Sequence, residues 1–279
     1  MEPSACDPSR AHLRSTAAQA PDYAVCADML NKVPAVTLGF WVIKIMSTTV
    51  GETGADYLAV HVGLGTLVTG GIMIALLCAA VLLQLRSSRY TPWIYWLTVV
   101  LVSVVGTQIT DALTDGLGVS LYASTLAFAV ALAAIFAIWY RRERTLSIHS
   151  IVTRRRELFY WAAILFTFAL GTAAGDLATE ALGLGFRLGV LAFGALIVVI
   201  AVSHRMGVNS VLAFWLAYIL TRPLGASLGD LLSQSRTYGG LGLGTINTSI
   251  AFLAVIVALV AFVTLAPGRS RAKASAIRG

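Results

Sequence analysis

The chain has 279 residues, of which 58% are apolar and 12% charged, with a net charge of +7. A soluble domain holds about 45–50% apolar and about 25% charged residues, so the composition excludes such a domain, and its hydrophobicity excludes wholesale disorder. A nucleic-acid binder needs a basic face on a soluble fold and none is legible. The cysteines Cys6, Cys26 and Cys78 show neither Cys-x-x-Cys spacing nor an even number, which argues against a disulfide framework or a zinc site.

In chain order, residues 1–30 are polar, lack a signal-peptide core, and read as a disordered tail in which His12 is solvated. Met29, just ahead of the first apolar run, is an alternative start. Residues 31–267 read as one all-α polytopic transmembrane domain and 268–279 as a basic tail. A bilayer core of about 30 Å takes about 20 apolar residues per helix. Eight stretches meet that length: Val36–Leu58, Leu67–Leu85, Trp93–Leu113, Leu121–Tyr140, Leu158–Leu177, Leu188–Ser203, Val211–Leu232 and Ile246–Leu265. They do not alternate polar with apolar, as the strands of a membrane barrel would.

Basic residues set the expected orientation. The loops after the second, fourth and sixth spans and the C-terminal tail carry Arg86, Arg89, Arg141, Arg142, Arg144, Arg154, Arg155, Arg156, Arg205, Arg269, Arg271, Lys273 and Arg278. The opposite loops carry Arg187 and Arg236. Thirteen against two places both termini in the cytoplasm.

Internal repeats organise the spans. Four segments share an aromatic–Trp pair, a Gly ten residues after the Trp and an Asp five after that Gly. They are Phe40-Trp41 with Gly51 and Asp56, Tyr95-Trp96 with Gly106 and Asp111, Tyr160-Trp161 with Gly171 and Asp176, and Phe214-Trp215 with Gly225 and Asp230. A Gly-Leu-Gly follows at 63–65, 116–118, 183–185 and 242–244. The domain thus divides into parallel two-helix repeats over 34–88, 89–150, 154–207 and 208–267, related by an axis along the membrane normal. The motif-bearing, odd-numbered helices are then equivalent and free to gather around that axis. The Trp side chains read as headgroup-level anchors, and the motif glycines as points of close helix packing or bending.

Seven of the thirteen acidic residues lie in or beside the motif: Glu52, Asp56, Asp111, Asp115, Asp176, Glu180 and Asp230. A mid-helix carboxylate costs about 2.5–3.5 kcal/mol on insertion scales, so such groups face a bundle interior or a wet cavity. Glu52 and Asp56, Asp111 and Asp115, and Asp176 and Glu180 are each four apart, one helical turn; the fourth repeat has Gln234 beyond Asp230. Each Asp stands about 22 Å beyond its Trp, in the outer third of the apolar core. Two readings compete there. In one, the aspartates are interfacial, capping turns or pairing with Arg187 and Arg236. In the other, Asp56, Asp111, Asp176 and Asp230 bind a substrate cation as an oxygen-rich metal cluster, with Glu52, Asp115 and Glu180 as further binding or proton-carrying groups. Thr53, Thr107, Gln108, Thr110, Thr172, Thr179, Ser227 and Ser233 supply neighbouring oxygens. Lys44 and Arg222, also within odd helices, read as charge-balancing partners of the acids. His61 is a titratable neighbour of Asp56, and Cys78 a packing residue.

The stretch Lys32-Val33-Pro34-Ala35-Val36-Thr37-Leu38-Gly39-Phe40-Trp41, followed by Ser47-Thr48-Thr49-Val50-Gly51-Glu52-Thr53-Gly54-Ala55-Asp56, resembles a bacterial family, the uncharacterised membrane-anchored proteins of the inner membrane. The likeness covers the chain from Met29 onward and is most specific in Gly-Glu-Thr-x-x-Asp. It implies an eight-helix, multi-pass protein of the bacterial inner membrane, with a hint of metal export, manganese in particular.

The leading functional expectation is a cation transporter or exporter, best suited to a divalent metal such as manganese. With no Gly-x-x-x-x-Gly-Lys-Ser/Thr loop, an ion gradient or the membrane potential would drive it. The alternative is a non-transporting scaffold or regulatory subunit. No enzyme is expected: Gly-x-Gly-Asp, nucleophile-elbow and His-Glu-x-x-His patterns are all missing. No cofactor is expected, and the partners are the lipid bilayer and the cation, with no nucleic acid.

Overall fold

The computed structural model describes residues 31–61 and 66–265. The N-terminal tail with Cys6, His12 and Cys26, the first Gly-Leu-Gly, the side chain of His61 and the C-terminal Arg269, Arg271, Lys273 and Arg278 lie outside the described residues. Among the described residues all regular structure is helical. The eight long helices are α1 Leu38–His61, α2 Thr66–Arg86, α3 Pro92–Asp111, α4 Leu121–Glu143, α5 Arg154–Asp176, α6 Gly185–Arg205, α7 Ser210–Ser233 and α8 Thr245–Leu265.

Local chemistry explains the boundaries. Pro92 opens α3 at the position where its missing N–H is harmless. Ser120, Thr153 and Asn209 accept hydrogen bonds from the first-turn amides of α4, α5 and α7. At the opposite end, Gly183, Gly185, Gly242 and Gly244 adopt φ of +69° to +80°, which explains glycine on both sides of the Leu in the third and fourth repeats; in the second, Gly118 alone does so, at +67°. Just past Asp111 and Asp176, α3 and α5 each widen into one π turn, over Ala112–Gly116 and Leu177–Ala181.

Seven of the eight helices are long and apolar enough to cross a membrane by length and composition. The eighth, α1, carries Lys44, Glu52 and Asp56, which lower its hydropathy, and the fold shields it among other helices. α1, α3, α5 and α7 form a closed inner ring in which each packs on the next and α7 returns to α1. The inner spans of α3, α5 and α7 bury 61% of their apolar stretch, whereas α2, α4, α6 and α8 bury between 11% and 22%. The outer helices do not chiefly cover their own repeat: α2 leans on α3, α4 on α5, α6 on α7, and α8 closes the circle on α1. Neighbouring repeats therefore interlock all the way round.

The repeat motif makes the ring. A Cβ added at Gly51 would overlap Ser103, at Gly106 Phe168, at Gly171 Arg222, and at Gly225 Thr48. In every case the glycine of one repeat receives the residue seven positions beyond the Trp of the next. Thr48 Oγ1 donates to the Thr221 carbonyl at 3.2 Å, Thr49 Oγ1 to that of Gly225 at 3.1 Å and Thr110 Oγ1 to that of Ala169 at 3.2 Å, tying adjacent inner helices together.

The aromatic pairs turn inward, which corrects their reading as headgroup anchors. Trp96, Trp161 and Trp215 are at most 5% exposed. The motif aromatic of each repeat meets the Trp of the next: Phe40 with Trp96 at 5.6 Å, Tyr95 with Trp161 at 5.6 Å, Tyr160 with Trp215 at 6.3 Å and Phe214 with Trp41 at 5.7 Å. The hydroxyls of Tyr95 and Tyr160 share a hydrogen bond of 2.5 Å. Ring-on-ring burial is worth about 0.5–1.5 kcal/mol per pair beyond area.

Candidate functional site

Stepping four residues at a time from the aromatic layer, each inner helix presents one side chain per level. The first level holds Lys44, Val99, Ile164 and Tyr218, the second Thr48, Ser103, Phe168 and Arg222, and the third Glu52, Thr107, Thr172 and Ala226. All twelve are buried. The fourth level is Asp56, Asp111, Asp176 and Asp230, all only partly buried, and Asp115, Glu180 and Gln234 lie one turn further out, the first two exposed. The interior thus passes from a dry aromatic seal, through a belt of buried charge, to a carboxylate mouth at the opposite end.

The buried belt breaks the fourfold pattern. Arg222 Nη2 of α7 donates to Glu52 Oε2 of α1 and to Thr107 Oγ1 of α3, crossing the ring. Thr107 also donates to the Ser103 carbonyl at 3.1 Å. The Arg222 side chain is fully buried and Glu52 nearly so, and taking such charges out of water is tolerated only because they meet. Lys44, read as a charge-balancing partner of the acids, forms none of the ion pairs among the described residues. It does not pair with Glu52, two turns along the same helix; its Nζ has no hydrogen-bond partner and sits over the rings of Phe168 at 4.0 Å and Tyr218 at 4.3 Å. A cation between two ring faces gains attraction without an acid.

The four aspartates converge in charge. Asp56, Asp111, Asp176 and Asp230 all lie within electrostatic reach of both Glu52 and Arg222. They do not converge to ligand distance: among the described residues no three His, Cys, Asp or Glu side chains are placed to hold one metal ion. The expected metal tetrad is therefore not preformed, and the counter-charge of Arg222 sits two levels below the aspartates. None of the ion pairs among the described residues joins an aspartate to Arg187 or Arg236. Those two arginines instead flank a hollow of about 540 Å³ with Tyr238.

The neighbouring oxygens divide into two kinds. Thr107, Thr110, Thr172 and Thr179 donate to carbonyls one turn back on their own helices, as does Thr53, which also meets Ser249 Oγ at 2.6 Å. By contrast, Asp56 Oδ2, Gln108 Oε1, Ser227 Oγ and Ser233 Oγ are buried with no hydrogen-bond partner. Buried polar atoms are almost always satisfied; Ser227 Oγ among these four lies against Gly189 of α6. Sequence reasoning missed Tyr218 and Phe168 as the Lys44 cage, and Thr107 as a partner of Arg222; the four-residue step from the motif was the available signal. It also missed the buried pair of Lys32 and Glu157 at 2.7 Å, which anchors the segment leading into α1.

Four stretches, residues 39–90, 94–145, 159–206 and 213–268, match the family described as Repeat of Unknown Function (DUF347). Each match begins one residue ahead of an aromatic–Trp pair. No curated protein and no solved structure matches the chain.

Proposed function

Because the chain belongs to this repeat family, its four repeats are read as equivalent units, and we propose that together they form a membrane transporter for a cation. A divalent metal such as manganese is the first candidate substrate. The observation that carries this reading is the ring of four register-equivalent aspartates at one end of a closed inner bundle, with Asp56 Oδ2 buried and without a hydrogen-bond partner. Hard divalent ions take carboxylate, amide and hydroxyl oxygens. An entering cation supplies the positive charge that the mutually repelling carboxyls lack, and so draws them together. The π turns after Asp111 and Asp176 fit this, since such distortions give a helix end room to adjust and recur at functional sites.

Glu52 and Arg222 form the inner limit of the site. A cation moving deeper competes with Arg222 for Glu52, and the aromatic layer beyond seals the far end. Asp115 and Glu180 gather charge at the mouth. In the proposed orientation, in a bacterial inner membrane with both termini cytoplasmic, the carboxylates face outward and the aromatic seal faces the cytoplasm. Transport draws on an ion gradient or the membrane potential, and no covalent catalysis is involved.

Cellular accumulation across a panel of divalent ions, with and without the protein, tests the reading. The double substitution Asp56→Asn with Asp111→Asn is expected to abolish the difference at undiminished protein level. Unchanged accumulation in that variant overturns the proposal and leaves a scaffold role, which co-purification of a stable partner would then support.

A further inference from the structure

A groove of about 630 Å³ opens at the arginine-rich end, between the C-terminal half of α6, the start of α7 and the segment entering α1. It exists because the fourfold pattern fails there. Over Trp215 the aromatic layer is sealed by Phe136 at 4.9 Å and Trp139 at 5.9 Å, and the Trp215 Nε1 donates to the Leu146 carbonyl at 3.0 Å. Leu146 belongs to a ten-residue link, 144–153, between α4 and α5. The link between α6 and α7 has only four residues, 206–209, and α6 offers Ile197 and Ala201 in place of aromatic rings. Trp41 is consequently the one motif Trp left partly exposed, and it lines the groove with Phe214.

The groove is amphipathic along its length. Its interior is apolar, while its lining also includes His149 and His204, both exposed, with Ser147 and Ser210. Arg144 and Arg205 adjoin that mouth in sequence and make no ion pair among the described residues. The flank on which it opens is the lipid-facing one: Val198, Val199 and Val202 of α6 and Leu212 of α7 are more than half exposed. Two exposed imidazoles over an apolar slot in such a flank, with Arg144 and Arg205 close by in sequence, match an acidic headgroup with an attached chain.

We propose that this groove holds one anionic phospholipid, its acyl chain against Trp41 and Phe214 and its phosphate between His149 and His204. The site is independent of the carboxylate mouth and of the transport reading. Native mass spectrometry of the full chain, purified with equal phosphatidylglycerol and phosphatidylethanolamine, is expected to show one retained phosphatidylglycerol. Ala201→Trp, on the exposed side of α6, fills the slot and is expected to remove it. The surface pair His149→Glu with His204→Glu is expected to weaken retention about tenfold by reversing the local charge. In nanodiscs of phosphatidylglycerol brominated on its acyl chains, the wild-type chain is expected to lose more fluorescence than Trp41→Phe. Retention unchanged by both sets of substitutions overturns the proposal. So does equal retention of the zwitterionic lipid, or equal quenching with and without Trp41.

Discussion

The two ends of the inner ring are made by the same four helices in the same register, yet they behave oppositely. At the aromatic end the symmetry is met by equivalent contacts: each ring finds the next repeat's Trp, and of those four Trp only Trp41 stays partly exposed. At the carboxylate end the symmetry is left open: the same register sets four acids at one level without bringing them to ligand distance. Repetition therefore stabilises when the repeated group is apolar and stores an unmet need when it is charged. Between the two ends, Lys44, Arg222 and Glu52 differ from their counterparts in the other repeats, and there Arg222 pairs with Glu52 while Lys44 rests on aromatic rings.

The largest break in this comparison comes from the belt. Arg222→Ala strands Glu52 in a buried position and is expected to destabilise by about 3–5 kcal/mol, read as a fall in thermal midpoint in detergent. Adding Glu52→Gln to that variant should recover much of the loss. At the aromatic end Trp96→Ala is expected to cost about 3–5 kcal/mol through the cavity it leaves, whereas Asp111→Asn at the other end should leave the midpoint nearly unchanged while affecting cation handling. That contrast fails if both substitutions unfold the protein equally. A smaller effect is expected at the interlock: Gly225→Val meets Thr48 across the ring and should destabilise by about 1–3 kcal/mol. Smallest of all is Lys44→Met, which trades ring–cation attraction of about 2 kcal/mol against the relief of a buried charge. Its midpoint is expected to stay close to wild type, and a fall as deep as that of Arg222→Ala would mean that Lys44 has an acidic partner.

Much of the architecture was legible because it repeats. The apolar runs located all eight helices, and the identical Trp–Gly–Asp spacing identified the odd helices as equivalent. The inward turn of the Trp side chains was not legible, since an aromatic near a helix end suits a headgroup layer as well as a neighbouring ring. Nor was the shift by which α2 covers α3 rather than α1: a sequence shows that a face is apolar and not which surface it meets. In the site, Thr110 and Thr172 looked like free oxygen donors, but a β-branched hydroxyl in a buried helix finds its own preceding carbonyl first. Ser227 and Gln108, indistinguishable from them by composition, are the groups left open.

The closing contact of α8 upon α1 has a consequence for how the protein is made. The opening helix, burdened with Lys44, Glu52 and Asp56, leaves the ribosome before α3, α7 and α8, the surfaces that will shelter it. Its charged groups therefore meet their partners and cover only late in synthesis, since Arg222 lies on α7. Completion of the last helix thus finishes the shelter of the first.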